Sequence, residues 1–476
     1  MKRGTWKGCA LSLLLAVGGA ACGGTVWEVP ESEAPVRVEQ QAREAGSPTG
    51  ALRWAQLLSG PDDNTGSIVS DREGGFLALV NFTGSIDLGG ETLQAPGGAS
   101  SVAMALVRYD VHGRLRWVKV FGAEAGVPGS VMGFSHTVDR HRNIILLVDT
   151  YGVDFGSGPV AGRYLVKLDS RGGLLWMRTL TLRGFAGVSR IVTDREDNIA
   201  VAGEFAGVVD FGLGPVSSKQ LPEDRFSSSA YLAKLSPEGR TLWMFVDSEN
   251  QSQGFGAAAD SQGNLLLCGT VFVDQTEPFV LMLSPEGQVR WVRRLDGALG
   301  FAWSVATHGN RVVVVGTFAL TFSFAGRTHT ASPNGGILQD AFVVAFTRNG
   351  EERWASNFGF SADDVAMDEQ DGVVVAGSYE AGSDLGVLGP LPGNPATLAN
   401  VYVAKFDRVT GEPRWSRGFA ASGEDFGSPG LEDASVAVTK EGHSAVLGQF
   451  TSTLTVGSEV WTAEGRSDLF LLGFER

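Results

Sequence analysis

The chain has 476 residues, 65 of them glycine, roughly twice the usual share. Its 43% apolar content excludes wholesale disorder, and three cysteines exclude a disulfide framework. Lys and Arg number 38 against 53 Asp and Glu, a net charge of −15. That balance excludes nucleic acid as a main partner, because phosphate binding needs a basic surface.

Residues 1–21 carry Lys2, Arg3 and Lys7, then an apolar run at 9–17, then Gly18-Gly19-Ala20-Ala21 ahead of Cys22. A basic start, a short apolar centre and a small-residue end predict a secretory signal peptide. The run is too short for a membrane span of about 20 residues. The small residues ending at a cysteine resemble the lipobox of bacterial lipoproteins. That resemblance implies that Cys22 becomes the first mature residue and is acylated, which places the protein in the bacterial cell envelope, at the outer membrane or cell surface. Residues 22–50 are rich in Gly, Pro, Glu, Ser and Ala without an apolar period, and predict a lipid-anchored flexible tether.

From residue 51 a repeat of about sixty residues runs to the C-terminus. Its marker is a tryptophan in a short strand: Trp54, Trp117, Trp176, Trp243, Trp291, Trp354 and Trp415, at spacings of 63, 59, 67, 48, 63 and 61. After each comes a variable loop, a short strand and a tight turn such as Asp71-Arg72-Glu73-Gly74 or Asp260-Ser261-Gln262-Gly263-Asn264. A nearly continuous apolar run follows, as at 76–80, 144–148, 265–268, 312–315 and 373–376. Strands apolar at every position are buried on both faces. A longer polar loop, a third strand and a second turn lead to the next tryptophan.

Four antiparallel strands per repeat with both faces buried predict an all-β fold, a β-propeller over 51–476. The chain opens on a lone Trp strand at 52–58 and ends on a third strand at 469–474 that lacks one. The N-terminal strand is therefore expected to complete the last blade of seven. Phe82-Thr83-Gly84-Ser85-Ile86-Asp87-Leu88-Gly89, with the third strand at 102–109 and the stretch from Gly113 to Trp117, resembles the bacterial seven-bladed β-propeller repeat (SBBP-like) proteins. Residues 205–212 with 231–243 match the same pattern, as do residues 401–415. The resemblance implies the fold and an envelope or secreted protein rather than an activity. The fourth unit departs from the pattern: between Gly269 and Phe279 it lacks the glycine-containing insertion.

Several motifs read as turns or packing. Asp154-Phe155-Gly156 and Asp210-Phe211-Gly212 spell a kinase magnesium motif, but they recur at one repeat position beside Asp87-Leu88-Gly89, so a turn aspartate is expected. Cys268, inside an apolar run, is expected to be a buried small hydrophobe. His136 falls on an innermost strand and is expected to be structural. The innermost strands otherwise read as small or aliphatic. The sequence presents no catalytic constellation.

Acids gather in loops between blades: Asp62 and Asp63, Asp363 and Asp364, Glu424 and Asp425. Such a rim could hold Ca²⁺, which takes six to eight oxygens, or stand as a solvated acidic face; no other cofactor is expected. Two functions remain open on this reading. One is a non-catalytic envelope lipoprotein presenting a propeller face to a protein or glycan. The other is a propeller enzyme acting on sugars or using a quinone or metal cofactor.

Overall fold

The computed structural model describes residues 26–28, 50–62, 64–180, 185–221, 225–334, 337–369, 372–383, 391–395, 400–422 and 434–475. Cys22, Asp63, Glu424 and Asp425 lie outside the described residues, as do the signal segment and most of the tether. Among the described residues all regular structure is β-strand. The strands form one four-stranded antiparallel meander after another, the layout of β-propeller blades.

The first sheet runs Thr65–Ser70, Phe76–Thr83, Val102–Tyr109 and Leu115–Phe121, with Val26–Glu28 added to its outer edge. The second runs Ser130–Val138, Ile144–Asp154, Pro159–Leu168 and Leu174–Thr179; the third Phe185–Thr193, Ile199–Ala206, Ser229–Leu235 and Thr241–Val246. The fourth runs Gln251–Ala259, Leu265–Phe272, Thr276–Leu283 and Val289–Arg294; the fifth Ala298–His308, Arg311–Phe324, Asp340–Thr347 and Glu352–Phe358. The sixth runs Asp364–Met367, Gly372–Tyr379, Asn400–Asp407 and Pro413–Phe419. The last joins Ala434–Val438, Ser444–Phe450 and Asp468–Phe474 to the N-terminal strand Leu52–Leu58.

The core lies between sheets. The second strands are buried over most of their length, and Gly372–Tyr379 throughout, while outer strands such as Leu174–Thr179 are half-buried. Each apolar cluster draws on two successive sheets, for example Leu147 and Leu165 with Val201 and Ala233. First strands pack against first strands from sheet to sheet, and those of the last and first sheets also touch.

The marker tryptophans bolt these joints. Trp54, Trp176, Trp243, Trp291 and Trp354 each donate the indole N–H to a carbonyl in the last hairpin of the following sheet, at 2.8–3.1 Å. Each also lies flat on that hairpin's glycine. Gly287 and Gly350 have φ of +85° and +79°, and a Cβ on either would meet Trp243 or Trp291 at 2.8 Å. Only glycine offers both the left-handed backbone and the missing side chain. Trp415 rests instead on Gly50, φ +107°, just ahead of the N-terminal strand. Gly50 thus does for the last sheet what the hairpin glycines do for the others.

Candidate functional site

The aspartates that open the inner hairpins are local ties. Asp139 Oδ1 accepts from the N–H groups of His141 and Asn143, and Asp194 Oδ1 from those of Glu196 and Asn198. Their other oxygens accept from Lys167 and Lys234 on the third strands, at 2.9 and 2.8 Å, and all four side chains are buried. Burial pushes both carboxyls up, yet the ammonium groups with Asn143 and Asn198 hold them below the usual carboxylate range. Among the described residues Asp139, His141 and Asp197 bring three ligand atoms within 4.8 Å. Lys167 already neutralises Asp139, and His141 Nδ1 lies 2.8 Å from Asp197 Oδ2.

The repeated Asp-Phe-Gly segments are turns, as their recurrence implied. Asp154 Oδ1 accepts from the N–H groups of Gly156, Ser157 and Gly158, and Asp210 Oδ1 from those of Gly212 and Gly214.

The acidic rim is divided. Asp62 is exposed, and Asp363 accepts from Ser361 Oγ at 2.6 Å. Asp364 leaves the rim and is buried at the start of its inner strand. Its Oδ1 accepts from Ser304 Oγ at 2.7 Å and Arg190 Nη2 at 3.1 Å; its Oδ2 accepts from the Val436 N–H at 2.9 Å. Arg190 reaches it from the third sheet's inner strand.

His136 lies near that pair. Its Nε2–H donates to the Leu77 carbonyl at 2.9 Å, which leaves Nδ1 to accept from Ser67 Oγ at 3.1 Å. Burial, with the Arg190 charge, pushes its pKa down to about 4. The inner strands therefore hold Arg190 and Asp364 besides the expected His136, where the rest of the lining was expected to be small and aliphatic. Cys268 is buried as expected, and burial pushes its thiol up to about 12.

Inner strands of the second to fifth sheets share a bulge, at Phe134, Ser189, Phe255 and Trp303. Bulges re-aim side chains. Here Phe255 and Trp303 meet at 4.8 Å, and Phe301 stacks on Trp303 at 4.9 Å. Sequence reading missed this patch because a bulge leaves no mark in an apolar pattern.

A groove of about 720 Å³ opens at the outer joint of the third and fourth sheets. Its floor is Phe245, Val271, Phe279 and Leu281, and Val292 stands exposed on its wall. The linker residues Asp247, Ser248, Glu249 and Asn250 run along one side, and Arg293 lines it too.

No protein-family model and no curated protein matches the chain. Among solved structures it is similar to BamB from Moraxella catarrhalis, at 11% identity over 88% of this chain and 100% of that one, TM-score 0.37. It is also similar to the quinohemoprotein alcohol dehydrogenase ADHIIG from Pseudomonas putida HK5, at 9% identity over 94% and 78% of the two chains, TM-score 0.41. A third is the quinohemoprotein alcohol dehydrogenase from Comamonas testosteroni, at 10% identity over 92% and 78%, TM-score 0.40.

Proposed function

We propose that this chain is a non-catalytic protein of the bacterial cell envelope, held to a membrane by a lipid on Cys22. Its seven-bladed β-propeller, closed by the N-terminal strand, presents a surface for a protein or glycan. The observation that carries the binding reading is the groove between the third and fourth sheets, which lies over the buried Val271, Phe279 and Leu281 where the neighbouring joints take inserted side chains. The ionisable groups on the inner strands favour binding over catalysis, because Asp364 and both ring nitrogens of His136 are bonded to protein groups. Closure is supported by the pairing of Leu52–Leu58 with Asp468–Phe474 and by Trp415 on Gly50.

Anchoring is tested by Cys22→Ala. The variant should leave the membrane fraction or keep its signal segment; fractionation and migration like wild type would sink the lipid assignment. Binding is tested with Val292→Glu, an exposed change in the groove wall. It should lower the amount of ligand recovered with the protein from envelope extracts while the melting temperature stays put. Equal recovery would move the binding surface elsewhere.

A further inference from the structure

Among the described residues, the groove lies where one sheet lacks what five others have. In the first sheet the connection from second to third strand forms the hairpin Ser85–Asp87 and Thr92–Gln94, which buries Ile86 and Leu88 beside Trp54 and Leu58 of the last sheet. The second sheet puts Val153 and Phe155 against the first, with Phe155 stacked on Phe121 at 4.9 Å. The third puts Val209 and Phe211 against Leu165 and Leu180. The fifth inserts Phe322 and Phe324, and the last inserts Leu454 and Val456 against Trp415 and Phe419. In each case two apolar residues at i and i+2 of an extended segment enter the joint with the preceding sheet. The fourth sheet turns from Phe272 to Thr276 through three residues and inserts no such pair.

Two of the filling segments also pair with the linker that leads out of the preceding sheet. Ser59 and Asp87 exchange two backbone hydrogen bonds, and Ala421–Ser422 pairs with Thr453 and Leu454. In the open joint, residues 247–250 occupy the corresponding linker and line the groove. Arg178 on the second sheet's outer strand donates to the Phe211 carbonyl; two residues after the next marker tryptophan, Phe245 takes that place and makes the open joint more apolar.

We infer that the groove receives an extended segment of a partner protein that carries apolar side chains at i and i+2 and lies along residues 247–250. The N–H groups of Asp247, Ser248 and Asn250 are already bonded to the Ala230 and Val246 carbonyls and to Asp247 Oδ1, so the alternate side chains, not a backbone ladder, give the specificity. The inference rests on the binding reading above and names the occupant of the same site. The occupant comes from another molecule because the described insertions fill their own joints and the three-residue turn of the fourth sheet is too short to fold back.

The test uses the full chain and a fluorescent peptide of residues 207–218, a segment that fills the neighbouring joint. Saturable binding is expected by anisotropy. It should weaken at least tenfold when the peptide carries Val209→Ser and Phe211→Ser, and at least tenfold for protein carrying Val292→Glu with an unchanged melting temperature. A second variant replaces Asp274 and Gln275 with residues 207–218, so that the chain fills its own groove; it should lose peptide binding altogether. Equal binding to wild type and Val292→Glu overturns the inference. Without peptide binding, a photo-crosslinking residue at position 292 separates the two failures. Capture of a glycan, a second copy of this chain or its own N-terminal segment overturns only the partner-segment inference. Capture of nothing from envelope extracts overturns the binding reading as well.

Discussion

A tryptophan laid on a left-handed glycine is the contact that repeats at every joint described. Gly350→Ala asks an alanine to hold φ near +79° and brings a methyl group to 2.8 Å from Trp291. The backbone part alone costs about 1–2 kcal/mol, and Trp291 must also shift, so the loss in urea unfolding should exceed that. An effect below about 0.5 kcal/mol, on the order of a neutral surface change, would mean that the tryptophan does not hold the joint. His136 gives the second residue-scale prediction. Its folded pKa of about 4 lies below the value near 6.5 of a free histidine. Between those pH values the unfolded chain binds more protons, so stability rises with pH there. The contribution is complete above pH 6.5 and is lost as pH falls towards 4, about 3 kcal/mol in all. His136→Gln keeps a donor for Leu77 and an acceptor for Ser67 without titrating. Its unfolding free energy should lose that pH slope; an unchanged slope would show that other groups set it.

The four-stranded sheet with its buried ion pair is the element that recurs. Lys234 and Asp194 are nearly without solvent, at 4% and 1% exposure. Lys234→Met should therefore cost about 3–5 kcal/mol, because Asp194 would stay buried without its cation. Asp194 is held below the usual carboxylate range in the folded chain, so its stabilisation is present above the unfolded pKa and lost as pH falls through the folded one. The gap between wild type and Lys234→Met should narrow on acidification. A gap independent of pH would assign the loss to packing of the lysine stem. The inserted hairpins act at the same scale. Phe211→Ala empties the joint of the second and third sheets and should cost about 3–5 kcal/mol, read from the same unfolding curves.

Over the whole molecule, the N-terminal strand is the piece whose removal matters most. Without residues 50–58, Asp468–Phe474 loses its outer partner and Trp415 loses Gly50. An open edge invites pairing with other chains. A chain starting at residue 60 should associate and melt lower; a monomer with unchanged melting would refute the proposed closure. The acidic rim gives a bulk measurement too. A bound divalent ion stabilises by RT ln(1 + [L]/Kd), about 2.7 kcal/mol at 100 times Kd. Asp364 is already bonded to Ser304, Arg190 and Val436, so equal melting in millimolar Ca²⁺ and in chelator is the expected result. A higher melting temperature in Ca²⁺ would assign the remaining rim acids to the ion.

The sequence by itself determined the all-β class, the repeat, and the strands on which the tryptophans fall, because burial on two faces and tight hairpins are local demands that leave local patterns. It also marked the fourth unit as short: the 48-residue step from Trp243 to Trp291 and the missing insertion are written in the order of the residues. What that shortness does was decided by tertiary structure. An insertion reads as a polar loop until folding shows that its alternate residues, Ile86 and Leu88 or Val209 and Phe211, fill the space beside the preceding sheet. The same holds at the inner strands. Arg190 and Asp364 lie 174 residues apart and belong to different repeats, so their meeting follows from how the sheets are arranged around one another, and no spacing along the chain encodes it. Register within a repeat is a matter of neighbours in sequence; a groove or an ion pair between repeats is a matter of neighbours in space.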